Sequence, residues 1–160
     1  MLQHVERAGA DDCLVQQSLA SAAKVHAMND LHYLLGSVFL TWTMLVTASL
    51  LRAKAWTLSG LRFEFGNRAD ATVPTLIAGR ADRAANNMLE SMVLFVAVLF
   101  AGHTAGAQSD VMNLGAATFF WARLAYWALY LLGVAYARTV VWALSIAGLA
   151  LISCAALQLA

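Results

Sequence analysis

Long apolar stretches alternate with shorter polar ones along the chain. The first apolar stretch, residues 31–51, carries no Asp, Glu, Lys or Arg, and about 20 such residues cross a bilayer core as a helix. Three further stretches follow at about 78–102, 111–134 and 139–160. Short connections between the later stretches indicate that neighbouring helices are antiparallel. The pattern therefore predicts an all-α integral membrane protein, a four-transmembrane-helix antiparallel bundle.

The N-terminal segment, residues 1–30, differs from the rest because charged and amide side chains interrupt its apolar patches. It lacks a basic start followed by an apolar run and a cleavage site, so we expect no signal peptide. We interpret it as a polar tail or a short surface helix that precedes a membrane domain over 31–160.

Composition supports the membrane interpretation. Hydrophobic residues make up 61% of the chain and charged residues 12%, and the mean hydropathy is +0.68, which is too apolar for an ordinary soluble domain. A net charge of +1 leaves no basic surface for nucleic acid, so no nucleic-acid partner is expected. The two cysteines lie far apart and the histidines do not cluster at ligand spacing, so no metal site is predicted.

The distribution of cations predicts the orientation. Six of the ten Lys and Arg residues lie between Arg52 and Arg83, and Arg138 is predicted to lie in the loop between the third and fourth spans. The positive-inside rule then places the 52–80 loop in the cytoplasm and both termini outside. We interpret the chain as a multi-pass protein of a bacterial inner membrane, in contact with membrane lipids.

Two polar stripes enter the predicted spans. At 100° per residue, four polar side chains of the second span fall within an arc of roughly 80°. These are Arg80, Arg83, Asn87 and Glu90. On the third span, three side chains share a face within about 60°. These are Arg123, Tyr126 and Tyr130.

The charges inside the spans need partners. Glu90 lies roughly 15 Å along the helix from Arg80, and Arg123 is near the middle of the third span. An isolated charge at that depth is costly, whereas opposite charges on facing helices neutralise one another. We therefore predict that Glu90 and Arg123 form a buried ion pair.

Several cations gather at one membrane boundary. A lone boundary arginine is explained by its side chain reaching lipid headgroups. A group of cations at one depth favours a pocket for an anionic ligand whose reactive end reaches into the apolar region. The group consists of Arg52, Lys54, Arg80, Arg83 and Arg138.

Three motifs carry a resemblance to a known family. They are Arg80-x-x-Arg83-Ala84-x-x-Asn87-x-x-Glu90, Arg123-x-x-Tyr126-x-x-x-Tyr130 and Arg138-Thr139. Together they resemble the MAPEG family, membrane-associated proteins of eicosanoid and glutathione metabolism, over roughly Leu31 to the C-terminus. The resemblance implies a homotrimer of four-helix bundles that binds glutathione as co-substrate between neighbouring subunits, near the cytoplasmic face.

The resemblance also implies roles for individual residues. Arg138 would stabilise the glutathione thiolate, assisted by the Thr139 hydroxyl, because a neighbouring cation lowers the pKa of a thiol. A lipophilic small molecule in the bilayer would then reach the sulfur laterally. The residues expected to bind glutathione are Arg80, Arg83, Asn87, Glu90, Arg123, Tyr126 and Tyr130.

The chain departs from the family pattern at three positions. Ala85 stands where relatives often carry Gln or His, Val93 replaces a common proline, and Ala135 stands in a turn that often holds one. The leading hypothesis is a membrane-bound glutathione transferase or peroxidase acting on hydrophobic electrophiles or lipid hydroperoxides. A non-catalytic lipid-binding or scaffold protein of the same fold is the alternative. A small transporter or proton relay is the third hypothesis, and the chain lacks paired broken-helix signals.

Overall fold

A computed structural model supplies the architecture. It describes residues 30–54, 57, 58, 60, 75–107 and 109–157. The predicted N-terminal tail before residue 30, most of the polar loop after Lys54 and the end of the fourth predicted span lie outside the described residues.

The described residues form four long helices and no strand, so the predicted all-α fold is confirmed. The helices are α1 (Asp30–Ala53), α2 (Leu76–Ala105), α3 (Ser109–Leu132) and α4 (Ala135–Leu157). Contacts between their ends make α1 and α2 antiparallel: Arg52 of α1 pairs with Asp82 near the start of α2. At the other end of the bundle, His103 of α2 contacts Asp30 of α1.

Local capping explains the length of α2. The Thr75 hydroxyl accepts a hydrogen bond from the Ala78 amide at 3.3 Å, which satisfies one of the free donors at a helix start. The helix then continues to Gly106, whose φ of 70° is left-handed and is readily adopted by glycine. The loop predicted from His103 is therefore shorter than expected, because no earlier residue stops the helix.

The connection between α3 and α4 is a tight turn. Gly133 adopts a φ of 81°, and the amides of Gly133 and Val134 both donate to the Leu129 carbonyl, so α3 ends in a glycine C-cap. Helix α4 begins directly afterwards, at Ala135. The prediction that Arg138 lies in a loop is wrong: it lies in the first turn of α4, because no proline or polar spacer delays the restart of the helix.

Three of the four helices are long and apolar enough to cross a membrane, namely α1, α2 and α4. Helix α3 has a similar length, but Arg123, Tyr126 and Tyr130 lower its hydropathy. These are polar residues of the predicted stripe. The residues of α3 that form the polar stripe therefore interrupt its apolar sequence.

The bundle core is built from aromatic rings and close helix contacts. Phe95 of α2 stacks on Phe119 of α3 with ring centroids 4.2 Å apart. Helix α1 packs against α3 through Tyr33, whose ring centroid lies 6.0 Å from that of Phe120. In a membrane, such packing rather than a hydrophobic driving force stabilises helix association.

Two glycines let α3 and α4 approach closely. A Cβ atom added to Gly115 would lie 2.8 Å from the Gly148 carbonyl oxygen and 2.6 Å from Cγ1 of Ile152. A Cβ atom on Gly148 would meet the Gly115 carbonyl oxygen at 2.8 Å. Small residues at such crossings are typical of membrane helices, and this contact fixes α4 beside α3 along the bundle.

Candidate functional site

A cavity of about 260 Å³ lies where α2, α3 and α4 meet, toward the end of the bundle that carries Arg52, Arg80 and Arg138. Its wall consists of Asn87, Tyr126, Tyr130, Arg138, Thr139 and Trp142. The sequence singled out the first five of these residues, and the fold brings them together from three helices. We call this space the polar cavity.

Trp142 is the lining residue that the sequence reasoning missed. It follows Arg138 by four positions and therefore shares its face of α4. Its residue exposure of 42% means that it lines the cavity and also reaches the outer surface of the bundle. That spacing was the signal that could have revealed it.

Tyr130 is the centre of the cationic side of the cavity. The Arg138 guanidinium carbon lies 4.6 Å from the centre of the Tyr130 ring, within the range of a cation–π contact. Arg83 Nε donates a hydrogen bond to the Tyr130 hydroxyl at 3.3 Å. Because that hydroxyl accepts from Arg83, its own proton remains free to donate to a ligand.

Thr139 lies beside Arg138 in the cavity wall, but its hydroxyl is directed along its own helix. Oγ1 donates to the Ala135 carbonyl at 3.2 Å, one turn earlier, as threonines in membrane helices often do. In this rotamer the Thr139 hydroxyl can accept but cannot donate to a thiolate. A donor role would require rotation about χ1.

Arg123 lies behind the cavity wall and not in it. It is 0% exposed, and its Nη1 donates to Asn87 Oδ1 at 2.7 Å. Its Nη2 donates to the Ser91 hydroxyl. The guanidinium carbon lies 5.4 and 5.5 Å from the centres of the Phe119 and Tyr126 rings. All of these partners are neutral.

The predicted Glu90–Arg123 ion pair does not form within the chain. Glu90 is exposed on α2, and its carboxylate has no partner among the described residues. Arg123 contacts the face of α2 that carries Asn87 and Ser91, whereas Glu90 is turned by about 100° from Ser91 around the helix. Glu90 and Arg123 lie at similar depth, but Glu90 is on the outer surface of the bundle and Arg123 is in its interior.

Arg80 contacts the C-terminal turn of α3 and lies outside the cavity wall. Its Nη1 is 3.5 Å from the Leu131 carbonyl oxygen. Its guanidinium occupies the space that a Cβ atom on Gly133 would need. A cation at a helix C-terminus interacts favourably with the unpaired carbonyls and the helix dipole. Arg80 therefore supports the turn that leads into Arg138.

The charged side chains in the wall of the cavity and directly behind it are all positive. Arg138 is in the wall, Arg83 contacts the Tyr130 hydroxyl and Arg123 lies behind Asn87. No carboxylate lines the cavity among the described residues. The same part of the chain contains no group of three or more His, Cys, Asp or Glu side chains that could bind a metal ion. The chemistry of the wall suits an organic anion.

The four-helix fold defines an integral membrane protein, and the cavity inside its helical bundle carries a cationic wall. The MAPEG family model matches residues 31–158, nearly the whole described part of the chain. The protein belongs to the MAPEG family. No curated protein matches the sequence.

Proposed function

We propose that this protein binds glutathione in the polar cavity and activates its thiol for reaction with hydrophobic electrophiles or lipid hydroperoxides. The MAPEG family includes glutathione transferases and peroxidases. The observation that carries the proposal is the convergence of Arg138, Tyr130 and Asn87 on one cavity without a carboxylate among the residues that the structure describes. Glutathione is an anion at neutral pH, and its thiolate adds a further negative charge.

The role of Arg138 follows from its position. A free thiol has a pKa near 8.5, and an adjacent cation lowers it so that more thiolate exists at neutral pH. Because its guanidinium rests on the Tyr130 ring, Arg138 has its charge oriented before the ligand arrives, which is the condition for electrostatic stabilisation. The free proton of the Tyr130 hydroxyl offers a second donor. In this proposal Arg138 stabilises the sulfur, and Asn87, Tyr126 and Tyr130 orient the peptide.

The two reactions share this thiolate. In conjugation, the sulfur forms a bond to an electrophilic carbon and the leaving group departs with the bonding electrons. In peroxide reduction, the sulfur attacks an oxygen of the hydroperoxide, the O–O bond breaks, and the alkoxide is protonated to an alcohol. A second glutathione then converts the sulfenic acid to the disulfide and water. Trp142 at the outer edge of the cavity marks the lateral route from the bilayer.

A homotrimer is part of the proposal, and Glu90 supports it. An exposed, unpartnered carboxylate near the middle of a membrane helix is costly in lipid. The same side of α2 also carries an apolar groove of about 510 Å³, lined by Leu89, Met92, Val93, Val96, Ala97 and Phe100. A second copy packed on this face would cover the groove and give Glu90 a polar partner. On this view Glu90 acts at the subunit interface, with the 52–80 loop cytoplasmic and both termini outside.

The decisive experiment follows thiolate formation directly. Purified protein is titrated with glutathione while the ultraviolet absorbance of the thiolate is recorded, and turnover is then measured with a set of electrophiles and a lipid hydroperoxide. We expect Arg138→Met to lose the thiolate signal and to slow turnover by about 100-fold or more. Lys54→Met, which removes an exposed cation outside the cavity, is the matched control. Absence of thiolate at saturating glutathione in the unaltered protein would refute the proposal.

The alternative, a non-catalytic lipid-binding or scaffold protein, has one observation in its favour. The Thr139 hydroxyl donates to its own helix rather than to the cavity. In that case glutathione would not raise the melting temperature, because only a ligand that binds the folded state stabilises it. A rise that grows with glutathione concentration excludes this alternative.

A further inference from the structure

The side chain of Asn87 connects a buried cation to the polar cavity. Its Oδ1 accepts a hydrogen bond from Arg123 at 2.7 Å, while the residue itself lines the cavity. We infer that Arg123 is a positioning residue that orients the Asn87 amide so that its N–H donors face the ligand. The inference rests on the proposed function for the identity of the ligand. It assigns to Asn87 an acceptor group of glutathione, a carboxylate or carbonyl oxygen.

The chemistry of arginine determines the orientation of the amide. A guanidinium only donates hydrogen bonds, so the Asn87 atom that faces Arg123 must be the oxygen. The amide is planar, and its nitrogen therefore points away from Arg123. Asn87 Nδ2 has no hydrogen-bond partner among the described residues. Its two donors remain available to a molecule in the cavity.

Arg123 is well suited to impose this orientation because it cannot move away. It is 0% exposed, donates also to the Ser91 hydroxyl and lies against the rings of Phe119 and Tyr126. No carboxylate neutralises it among the described residues. Its charge therefore polarises the Asn87 amide through the hydrogen bond, which strengthens the donors on the cavity side.

The consequence is a specificity rule for this side of the cavity. Glutathione carries two carboxylates and two amide carbonyls, which accept hydrogen bonds, and one ammonium group, which only donates. An Asn87 side chain whose N–H groups face the cavity binds the carboxylates and carbonyls of glutathione and rejects its ammonium group. If the amide were reversed, the preference would be reversed as well.

The test replaces the amide by a group of the same shape that only accepts. Asn87→Asp retains a partner for Arg123 but offers no donor to the cavity. We expect glutathione to bind at least about tenfold more weakly, the effect of losing a hydrogen bond to a charged group. Asn86→Asp, an exposed neighbour on α2, introduces the same charge and should change the affinity less than about threefold, which isolates the donor from simple charge repulsion. Unchanged or tighter binding by Asn87→Asp would overturn the inference.

A second arm tests Arg123 through its effect on catalysis. Arg123→Gln supplies an amide that can accept or donate, so the orientation of Asn87 is no longer imposed. We expect the KM for glutathione to rise about three- to tenfold, with kcat at saturating glutathione largely retained. Arg123→Lys still only donates and should keep the KM within about twofold of the unaltered protein. Equal KM values in all three proteins would contradict a positioning role. If Arg123→Gln does not fold, Arg123→Lys together with Asn87→Asp decides.

A ligand-free measurement separates this inference from the proposed function. The carboxylate introduced by Asn87→Asp would form a charged pair with Arg123, so this variant should melt at or above the temperature of the unaltered protein. In an Arg123→Lys background, whose amine places its charge differently from the guanidinium, the same substitution should give a different shift. If the unaltered protein binds no glutathione, the proposed function fails, while these melting temperatures still test the contact between residue 87 and Arg123 on which the orientation depends. A lower melting temperature for Asn87→Asp alone would refute it.

Discussion

The guanidinium of Arg138 lies over the ring of Tyr130, 4.6 Å from its centre, and this contact joins the start of α4 to the end of α3. The ring orients the cation, while Arg83 contacts the hydroxyl at the far end of the same side chain. Tyr130 thus has two separable roles, a platform for Arg138 and a hydroxyl at the cavity. Substitutions can distinguish them.

Tyr130→Phe keeps the ring and removes the hydroxyl. We expect the melting temperature to fall only slightly, because Arg83, which donates to this hydroxyl, is exposed and water can replace the lost partner. Thiolate formation should persist. Tyr130→Leu removes the platform as well, so Arg138 loses its orientation and thiolate formation should fall markedly. Thiolate absorbance under saturating glutathione is the measurement. Identical losses in the two variants would show that the ring does not orient Arg138.

Ser91 is predicted to matter for stability although it lies outside the cavity wall. Its hydroxyl accepts from Arg123 and donates to the Asn87 carbonyl. Ser91→Ala leaves a buried guanidinium donor without a partner, which costs about 1–3 kcal/mol. Ser153→Ala is the control, because the Ser153 hydroxyl donates to the Leu149 carbonyl of its own helix. Thermal unfolding in detergent compares the two. Equal melting temperatures would argue against the Arg123 contact.

The close approach of α3 and α4 predicts intolerance of even one methyl group. In Gly148→Ala the new Cβ would lie 2.8 Å from the Gly115 carbonyl oxygen, and backbone cannot move aside cheaply, so we expect a loss of about 1–3 kcal/mol. Gly79→Ala on α2 is the matched control. Its nearest neighbour there is the end of the Arg83 side chain at 3.4 Å, and this substitution should be neutral or slightly stabilising. Thermal unfolding measures both, and a stable Gly148→Ala protein would contradict the packing.

The turn between α3 and α4 offers a test of Arg80. Gly133→Ala places a methyl group where the Arg80 guanidinium lies and also strains a φ of 81°. Gly106→Ala strains a similar φ of 70° with no atom within 4 Å of the new Cβ, so it reports backbone strain alone, about 1 kcal/mol. We expect Gly133→Ala to be the more destabilising of the two in thermal unfolding. In an Arg80→Ala background this excess should vanish, and its persistence would show that Arg80 is not displaced.

The sequence predicted the composition of the cavity better than the contacts within it. Spacing and family resemblance identified Asn87, Tyr126 and Tyr130 on two facing helices, and Arg138 with Thr139 on the next. Helical periodicity gives the depth of a residue and its face relative to its neighbours on the same helix. It does not give the rotation of one helix against another, which is why Glu90 rather than Ser91 was paired with Arg123.

The contact of Arg80 with the α3–α4 turn escaped prediction for a related reason. Its position on the polar stripe of α2 suggested a ligand contact, and only the three-dimensional course of the chain shows that the C-terminal carbonyls of α3 lie beside it. Trp142, in contrast, could have been predicted as a cavity residue, because its four-residue spacing from Arg138 is visible in the sequence. The close contact of Gly115 with Gly148 required the pairing of α3 with α4.

The burial of Arg123 has a consequence for how the protein enters its membrane. An arginine near the middle of a helix costs about 2.5–3.5 kcal/mol in membrane insertion, and α3 is the helix that falls short of the apolar character of the other three. The two terminal nitrogens of its guanidinium donate to Asn87 and Ser91, which belong to the preceding helix. We therefore expect α3 to enter the bilayer together with α2, so that the residues beside the cavity also help this helix to cross the membrane.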